Sequence, residues 1–301
     1  MTEGGADERS RGPAVWLGMD QRELDAAYDQ TVWAPNMSVV LGRYAANSER
    51  ARQLLGAPQR LAYGPEDTDG LDLFVAREPA GPVVIFVHGG GWRGGFASDY
   101  AYLADLYLRA GIHLAILDFA PIGDHDGDLR PMVAQLRQAV RWVHDRAASF
   151  GGDPNRIFLV GHSSGAHLGG CLVTTDWAAE GLPPDVLKGA VLCSGMYDLK
   201  PVRLSARSAY VRFTDEIEEA LSPQRHLDRL RAPLVLAYGT QESPEFQRQT
   251  REFADAVAVA GKPVTPIVGE GYNHFEILET LTDPDGLLGR AALGQLELGS
   301  R

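Results

Sequence analysis

The sequence predicts an α/β fold, a mostly parallel sheet covered by helices on both faces. Two observations carry this. From residue 83 onward, short apolar and β-branched runs alternate with stretches of helical period, the pattern left by strands joined through crossover helices. Several of these runs are continuously apolar rather than alternating, as strands buried on both faces require. The chain has 301 residues, 45% of them hydrophobic, enough for one large domain with a sizeable core. No internal repeat or linker-like break divides it. Residues 20–301 are therefore expected to form a single domain behind a polar, disordered tail over residues 1–19.

The first element is a short helix over 20–28. Asp20 is its N-cap, and Glu23 stands three residues on to complete a capping box. The stretch from Thr31 to Pro35 breaks it, and a second short helix is predicted over 48–55. Two early antiparallel strands, 61–63 and 71–75, flank a turn rich in Gly, Pro and Asp. The first buried strand is 83–87. A helix over 100–109 follows and is stopped by Gly111; the next strand is 112–119. The loop 124–128 superficially suggests a calcium site. Leu129 stands where such a loop needs Gly, however, and Gln135 where it needs Glu. Pro131 opens a helix whose apolar stripe is Val133, Leu136, Val140, Val143 and Ala147. Further strands are predicted at 157–160, 189–193, 234–238 and 264–268, with a helix over 243–260 ended by Gly261. Segment 200–230 is too long for a simple crossover and is expected to form a small cap.

The formal net charge of −12, without a basic cluster, disfavours nucleic acid and anionic membrane surfaces as partners. No run of 18 apolar residues exists to span a bilayer. The N-terminal residues lack the apolar core of a signal peptide, so a cytoplasmic location is expected. Cys171 and Cys193 lie in apolar surroundings and read as buried thiols rather than a disulfide or metal pair. No His-Glu-x-x-His or Cys-x-x-Cys pattern is present, so neither a metal nor another cofactor is expected. The expected partners are a small-molecule substrate and, at most, a second copy of the chain as a homodimer.

The chemistry centres on Gly161-His162-Ser163-Ser164-Gly165, between an apolar run and an Ala/Leu-rich helix. A sharp strand-to-helix turn needs glycines two positions either side of the serine. It lifts the Ser163 hydroxyl above the sheet edge and puts the helix N-terminus, with the Ser164 N–H, beside a developing oxyanion. His88-Gly89-Gly90-Gly91 ends the first buried strand, where Gly90 and Gly91 can offer unobstructed backbone N–H groups. Glu242 follows the strand at 234–238 and His274 the strand at 264–268, which puts both at carboxyl ends. Glu245, in the first turn after Pro244, suits a helix-start carboxylate. The order serine, acid, histidine is that of a nucleophile, an orienting acid and a general base. His162 and His167, beside the serine, read as positional.

Several motifs together resemble a known family. They are His88-Gly89-Gly90-Gly91-Trp92, Gly152-Asp153-Pro154-Asn155-Arg156-Ile157, Gly161 to Leu168, Ser194-Gly195-Met196-Tyr197-Asp198-Leu199, Ser243-Pro244-Glu245-Phe246 with Arg248-Gln249, and Asn273-His274-Phe275-Glu276. Over residues 20–285 the chain resembles the α/β-hydrolase fold. Within that fold it resembles the arylformamidase (kynurenine formamidase) group, which borders the hormone-sensitive-lipase-like esterases. The resemblance implies an eight-stranded, mostly parallel sheet. It implies Ser163 as nucleophile, His274 as base, Glu242 as acid where the family usually has Asp, and Gly90, Gly91 and Ser164 as oxyanion donors. Gly91 replaces an aromatic residue commoner in the family. The implied substrate is an aryl formamide such as N-formylkynurenine. Alternatives are a short-chain carboxylesterase with the same residues and a non-catalytic binding homologue. Trp92, Tyr28, Trp33 and Tyr197 are candidates to line the leaving side of the pocket.

Overall fold

The computed structural model describes residues 12–298. Its centre is one eight-stranded sheet. The strands are β1 (Gln59–Ala62), β2 (Gly70–Phe74), β3 (Gly81–Val87), β4 (His113–Leu117), β5 (Gly152–His162), β6 (Leu187–Cys193), β7 (Leu234–Gly239) and β8 (Val264–Gly269). Their order is β1-β2-β4-β3-β5-β6-β7-β8. The pairs β1/β2 and β2/β4 are antiparallel, and every other pair is parallel. The predicted fold class is therefore the observed one.

Eleven α-helices cover the sheet in the described chain: α1 (Gln21–Ala27), α2 (Gln30–Trp33), α3 (Met37–Leu55), α4 (Ala104–Arg109), α5 (Leu129–Arg146), α6 (Ser164–Val173), α7 (Leu199–Leu204), α8 (Asp215–Ala220), α9 (Pro244–Val259), α10 (Glu276–Glu279) and α11 (Leu287–Leu298). Alternate residues of β3 serve opposite cores, as the pleat dictates. Val83, Ile85 and Val87 pack with α5, α6 and α9. Val84 and Phe86 pack with α3, α4 and α11.

Some boundaries differ from the sequence reading for identifiable reasons. The Asp20–Glu23 capping box forms as expected, but Thr31 to Trp33, within the stretch read as a break, belong to a one-turn helix, Gln30–Trp33, capped by Asp29. Helix α3 starts at Met37, well before residue 48. Val39 and Leu41 are both exposed, Leu41 toward a cavity, so its first half lacks the apolar contrast that marks a helix. Helix α5 starts at Leu129 because the Asp128 carboxylate caps it through the Arg130 N–H, which puts Pro131 inside the first turn. Helix α11 escaped the reading altogether, although Leu288, Ala292 and Leu296 form a buried stripe at helical spacing.

The expected disordered tail needs a correction. Residues 1–11 lie outside the described residues, but Trp16 bridges Met19 and packs on the core, and the Asp20 carboxylate accepts the Gly12 N–H. Between β6 and β7, over the segment read as a cap, the chain forms α7, α8 and short 3₁₀ turns, and Ala206, Arg207, Ala209 and Tyr210 of that segment line the site cavity. Cys171 and Cys193 are buried free thiols; burial pushes the Cys171 thiol up to about 12. Among the described residues no helix is long and apolar enough to cross a membrane.

Candidate active site

Strand β5 runs into α6 through a single residue in a strained conformation. Ser163 has φ 58° and ψ −125°, a region that side-chain-bearing residues rarely occupy. Its neighbours make that turn feasible. A Cβ on Gly165 would sit 2.1 Å from the Val87 carbonyl oxygen, and one on Gly161 would sit 2.6 Å from the Gly165 carbonyl oxygen. Only glycine fits either place. The turn is pinned by the Ser163 N–H, which donates to the Cys193 carbonyl, and by the Ala166 and His167 N–H groups, which donate to the Ser163 carbonyl.

The Ser163 hydroxyl oxygen lies 2.8 Å from His274 Nε2, and His274 Nδ1 lies 2.7 Å from Glu242 Oε2. All three residues are buried. Glu242 is fixed through its other oxygen, which accepts the Ser194 hydroxyl at 2.6 Å and the Gly239 N–H at 2.7 Å. His274 is held by its loop. The Asn273 carboxamide oxygen accepts the Phe275 and Glu276 N–H groups, and His162 donates from Nε2 to the His274 carbonyl at 2.7 Å. The imidazole packs edge-on against Phe246 and Phe275. Glu245 takes no part. It accepts the Tyr28 hydroxyl and both Nε and Nη2 of Arg248.

Beside the serine, the loop after β3 carries positive φ at Gly90, Gly91 and Trp92. A Cβ on Gly90 would fall 1.9 Å from the Gly94 carbonyl oxygen, so the chain can fold back there only as glycine. The Trp92 N–H donates to the Ser164 hydroxyl at 3.3 Å, tying the loop to α6. Among the described residues the N–H groups of Gly90, Gly91 and Ser164 have no acceptor. Ser164 follows Ser163 at the start of α6, and Gly90 and Gly91 border a cavity of about 770 Å³ that is also lined by Ser163, His162 and His274. Its roof is formed by α1, α3 and the cap, through Tyr28, Met37, Leu41, Tyr44, Arg207 and Tyr210. A nucleophile, a base, an oriented acid and free N–H donors facing one cavity are the parts that acyl transfer requires.

A 31% identical relative, the kynurenine formamidase of Danio rerio, matches over 92% of this chain and 97% of its own length. The chain belongs to the kynurenine formamidase family. It is thus an enzyme of the α/β-hydrolase type. The BD-FAE family matches residues 71–183. The isoprenylcysteine α-carbonyl methylesterase ICME of Arabidopsis thaliana is 28% identical over 74% of this chain and 57% of its own. Among solved structures, a candidate thioesterase from Silicibacter sp. TM1040 superposes with a TM-score of 0.77 at 26% identity, covering 93% of this chain and 99% of the other.

In this member of the family, three of the four expected pocket-lining aromatics lie elsewhere. Trp92 is buried, because its positive φ turns the ring into the core, where Nε1 donates to His167 Nδ1. Tyr197 stacks on Phe253 at 4.2 Å between centroids. Trp33 donates from Nε1 to the Ala26 carbonyl and does not line the cavity. Tyr28 does line it. The sequence reading missed Tyr44, Tyr100, Tyr210 and Phe275 in the wall and the support of Glu242 by Ser194. The last has a signal in the Ser194-Gly195 motif, since Ser194 holds positive φ at the end of β6. Among the described residues no cluster of His, Cys, Asp or Glu is placed to hold a metal ion.

The buried histidines set an acid limit on stability. Burial holds the His162 imidazole down at about 3, helped by nearby His274, and His167 at about 4. Burial also lowers His88 and His113. These groups bind their protons more readily in the unfolded chain, with its ordinary value near 6.5. Stability is therefore fully present above about pH 6.5 and is lost as pH falls toward the folded values. Each imidazole contributes up to about 1 kcal/mol per pH unit in that window. Urea midpoints should decrease steadily from pH 7 to pH 5, and a flat profile there would contradict the neutral buried imidazoles.

Proposed function

We propose that the protein is a serine hydrolase that cleaves aryl formamides such as N-formylkynurenine. Ser163 Oγ attacks the formyl carbon while His274 Nε2 takes its proton, and Glu242 holds the imidazolium. The carbonyl oxygen, now negative, receives hydrogen bonds from the N–H groups of Gly90, Gly91 and Ser164. The C–N bond then breaks, and the aryl amine leaves with the proton from His274. Water, deprotonated by His274, attacks the formyl ester on Ser163 and releases formate.

The observation that carries this reading is the hydrogen-bonded series Ser163–His274–Glu242 facing the cavity, in a chain related over nearly its whole length to a kynurenine formamidase. A Cβ on Gly89 would lie 3.0 Å from the Ser163 Cβ, and the cavity is otherwise rich in aromatic side chains, Tyr28, Tyr44, Tyr100, Tyr210 and Phe275. A small acyl group beside the glycines and an aromatic leaving group are consistent with that lining. A second reading, a short-chain carboxylesterase with the same residues, draws support from the methylesterase relative.

An acyl-length series on one aryl leaving group separates the two. Going from formyl to acetyl to butyryl should lower kcat/KM steeply, by about tenfold or more per step, because an overfilled acyl side moves the carbonyl off its donors. A rate that stays level or rises toward butyryl removes the formamidase reading and leaves the esterase.

A further inference from the structure

The cavity above Ser163 is lined by two arginines, Arg207 and Arg93, whose guanidinium groups pair with no carboxylate among the described residues. Arg207, half-buried on the cap, donates from Nη1 to the Tyr210 hydroxyl at 2.8 Å and from Nη2 to the Tyr28 carbonyl at 3.0 Å. Its Nε is buried and has no partner among the described residues, and its guanidinium carbon lies 5.4 Å from the Trp92 ring centroid. A Cβ at Gly91 would come within 3.4 Å of Arg207 Nη1, so this cation sits directly over the loop that offers oxyanion donors. Arg93 lies against the same tyrosine, 4.4 Å over the Tyr210 ring. Both arginines line the cavity.

Elsewhere in this acidic chain, comparable arginines are neutralised. Arg225 pairs with Asp198, Glu218 and Glu219, and Arg248 with Glu245 and Glu252. The carboxylates at the cavity wall do not do this for Arg207 or Arg93. Asp25 Oδ1 is committed to the Ala206 N–H and the Gln21 amide, and Asp29 Oδ1 caps Thr31. A half-buried cation gives up hydration and gains no counter-charge, which an anion arriving from outside would supply.

We propose that Arg207, assisted by Arg93, forms a subsite for a carboxylate on the leaving portion of the substrate. The proposal rests on the formamide reading, because a formyl carbon bears only hydrogen. Whatever reaches Arg207 must then belong to the amine portion. A guanidinium offers a carboxylate two parallel N–H donors, and Tyr28 and Tyr210 already fix its plane. Held there, the carboxylate would set the aromatic ring and carry the formyl group to Ser163, a remote contact used to orient the reacting atom. The enzyme would then favour anionic aryl formamides over neutral ones of the same shape.

The test compares kcat/KM for N-formylkynurenine with that for its carboxamide, in which the anion becomes a neutral group of nearly equal size. The wild type should prefer the carboxylate by about 10- to 100-fold, the range of a charge-assisted hydrogen bond. In Arg207→Gln that ratio should fall toward one, and in Arg93→Gln it should fall less. Because the readout is a ratio within one preparation, partial misfolding cancels. A wild-type ratio near one, or an unchanged ratio in Arg207→Gln while both rates drop together, overturns the subsite. Should the wild type cleave neither formamide, equilibrium binding of kynurenine and its carboxamide to Ser163→Ala separates the two failures. A preference for the carboxylate that Arg207→Gln abolishes keeps the subsite and rejects the formamide reading; no preference rejects the subsite.

Discussion

Replacing Ser163 by alanine is expected to lower kcat by about 10⁴-fold or more and to leave the fold intact. The substitution removes one oxygen, whose hydrogen-bond partner is His274 Nε2. The elbow itself is held by backbone bonds of Ser163 to Cys193, Ala166 and His167, and these survive in alanine. The positive φ costs alanine about what it costs serine. The thermal midpoint should therefore move by no more than about 1 °C, the shift that a few tenths of a kcal/mol produces in a domain this large. A covalent serine reagent should add one label to the wild type, on Ser163, and none to the variant. Turnover within tenfold of wild type would remove Ser163 as the nucleophile.

How much of this was legible in the sequence depends on what each feature demands of it. The elbow was legible because its geometry excludes side chains at Gly161 and Gly165, and that exclusion is written as residue type. Glu242 was legible because the strand before it, β7, is a continuous apolar run. His274 was legible because it follows the next strand in the alternation, although β8 carries Thr265 and Pro266 and is largely exposed. Functional groups follow the carboxyl ends of such strands. The pocket wall was not. Residue type says that Trp92 and Tyr197 are large and aromatic, but the backbone decides which way they point. A positive φ at Trp92 sends its ring into the core, and Phe253 claims the face of Tyr197. The roof was hidden for a different reason. The first half of α3 turns Met37 and Leu41 to the cavity and only Val40 and Tyr44 to the core, Tyr44 also reaching the cavity, which blurs the periodicity that marks a helix. Arg207 was invisible because a lone arginine in a cap segment resembles any solvated charge until its missing counter-ion can be seen.

The two neighbouring glutamates should separate cleanly when each is changed. Glu242→Gln is expected to lower kcat by about 10³- to 10⁴-fold, as loss of the orienting acid does in comparable triads. The geometry makes this more than a loss of charge. Oε1 of Glu242 accepts hydrogen bonds from Ser194 and from the Gly239 N–H, so the amide oxygen of glutamine must stay there. Its NH₂ group is then forced toward His274 Nδ1, where it donates. An imidazole that accepts at Nδ1 bears its proton on Nε2, facing Ser163 Oγ, and cannot take the serine proton. Raising pH does not relieve this, so the loss should persist across the pH profile. Glu245→Gln should do the opposite. Glu245 is buried and holds Arg248 through two bonds, along with the Tyr28 hydroxyl. Arg248 retains Glu252 and some exposure, so the cost should be about 2–3 kcal/mol of stability, read as a midpoint lowered by about 5–10 °C. Its kcat should remain within about threefold of wild type at a temperature where it is folded, because none of its bonds reaches Ser163 or His274. Steady-state kinetics and thermal melts on both variants decide the matter. If Glu245→Gln loses kcat by powers of ten while Glu242→Gln keeps it, the acid has been assigned to the wrong residue.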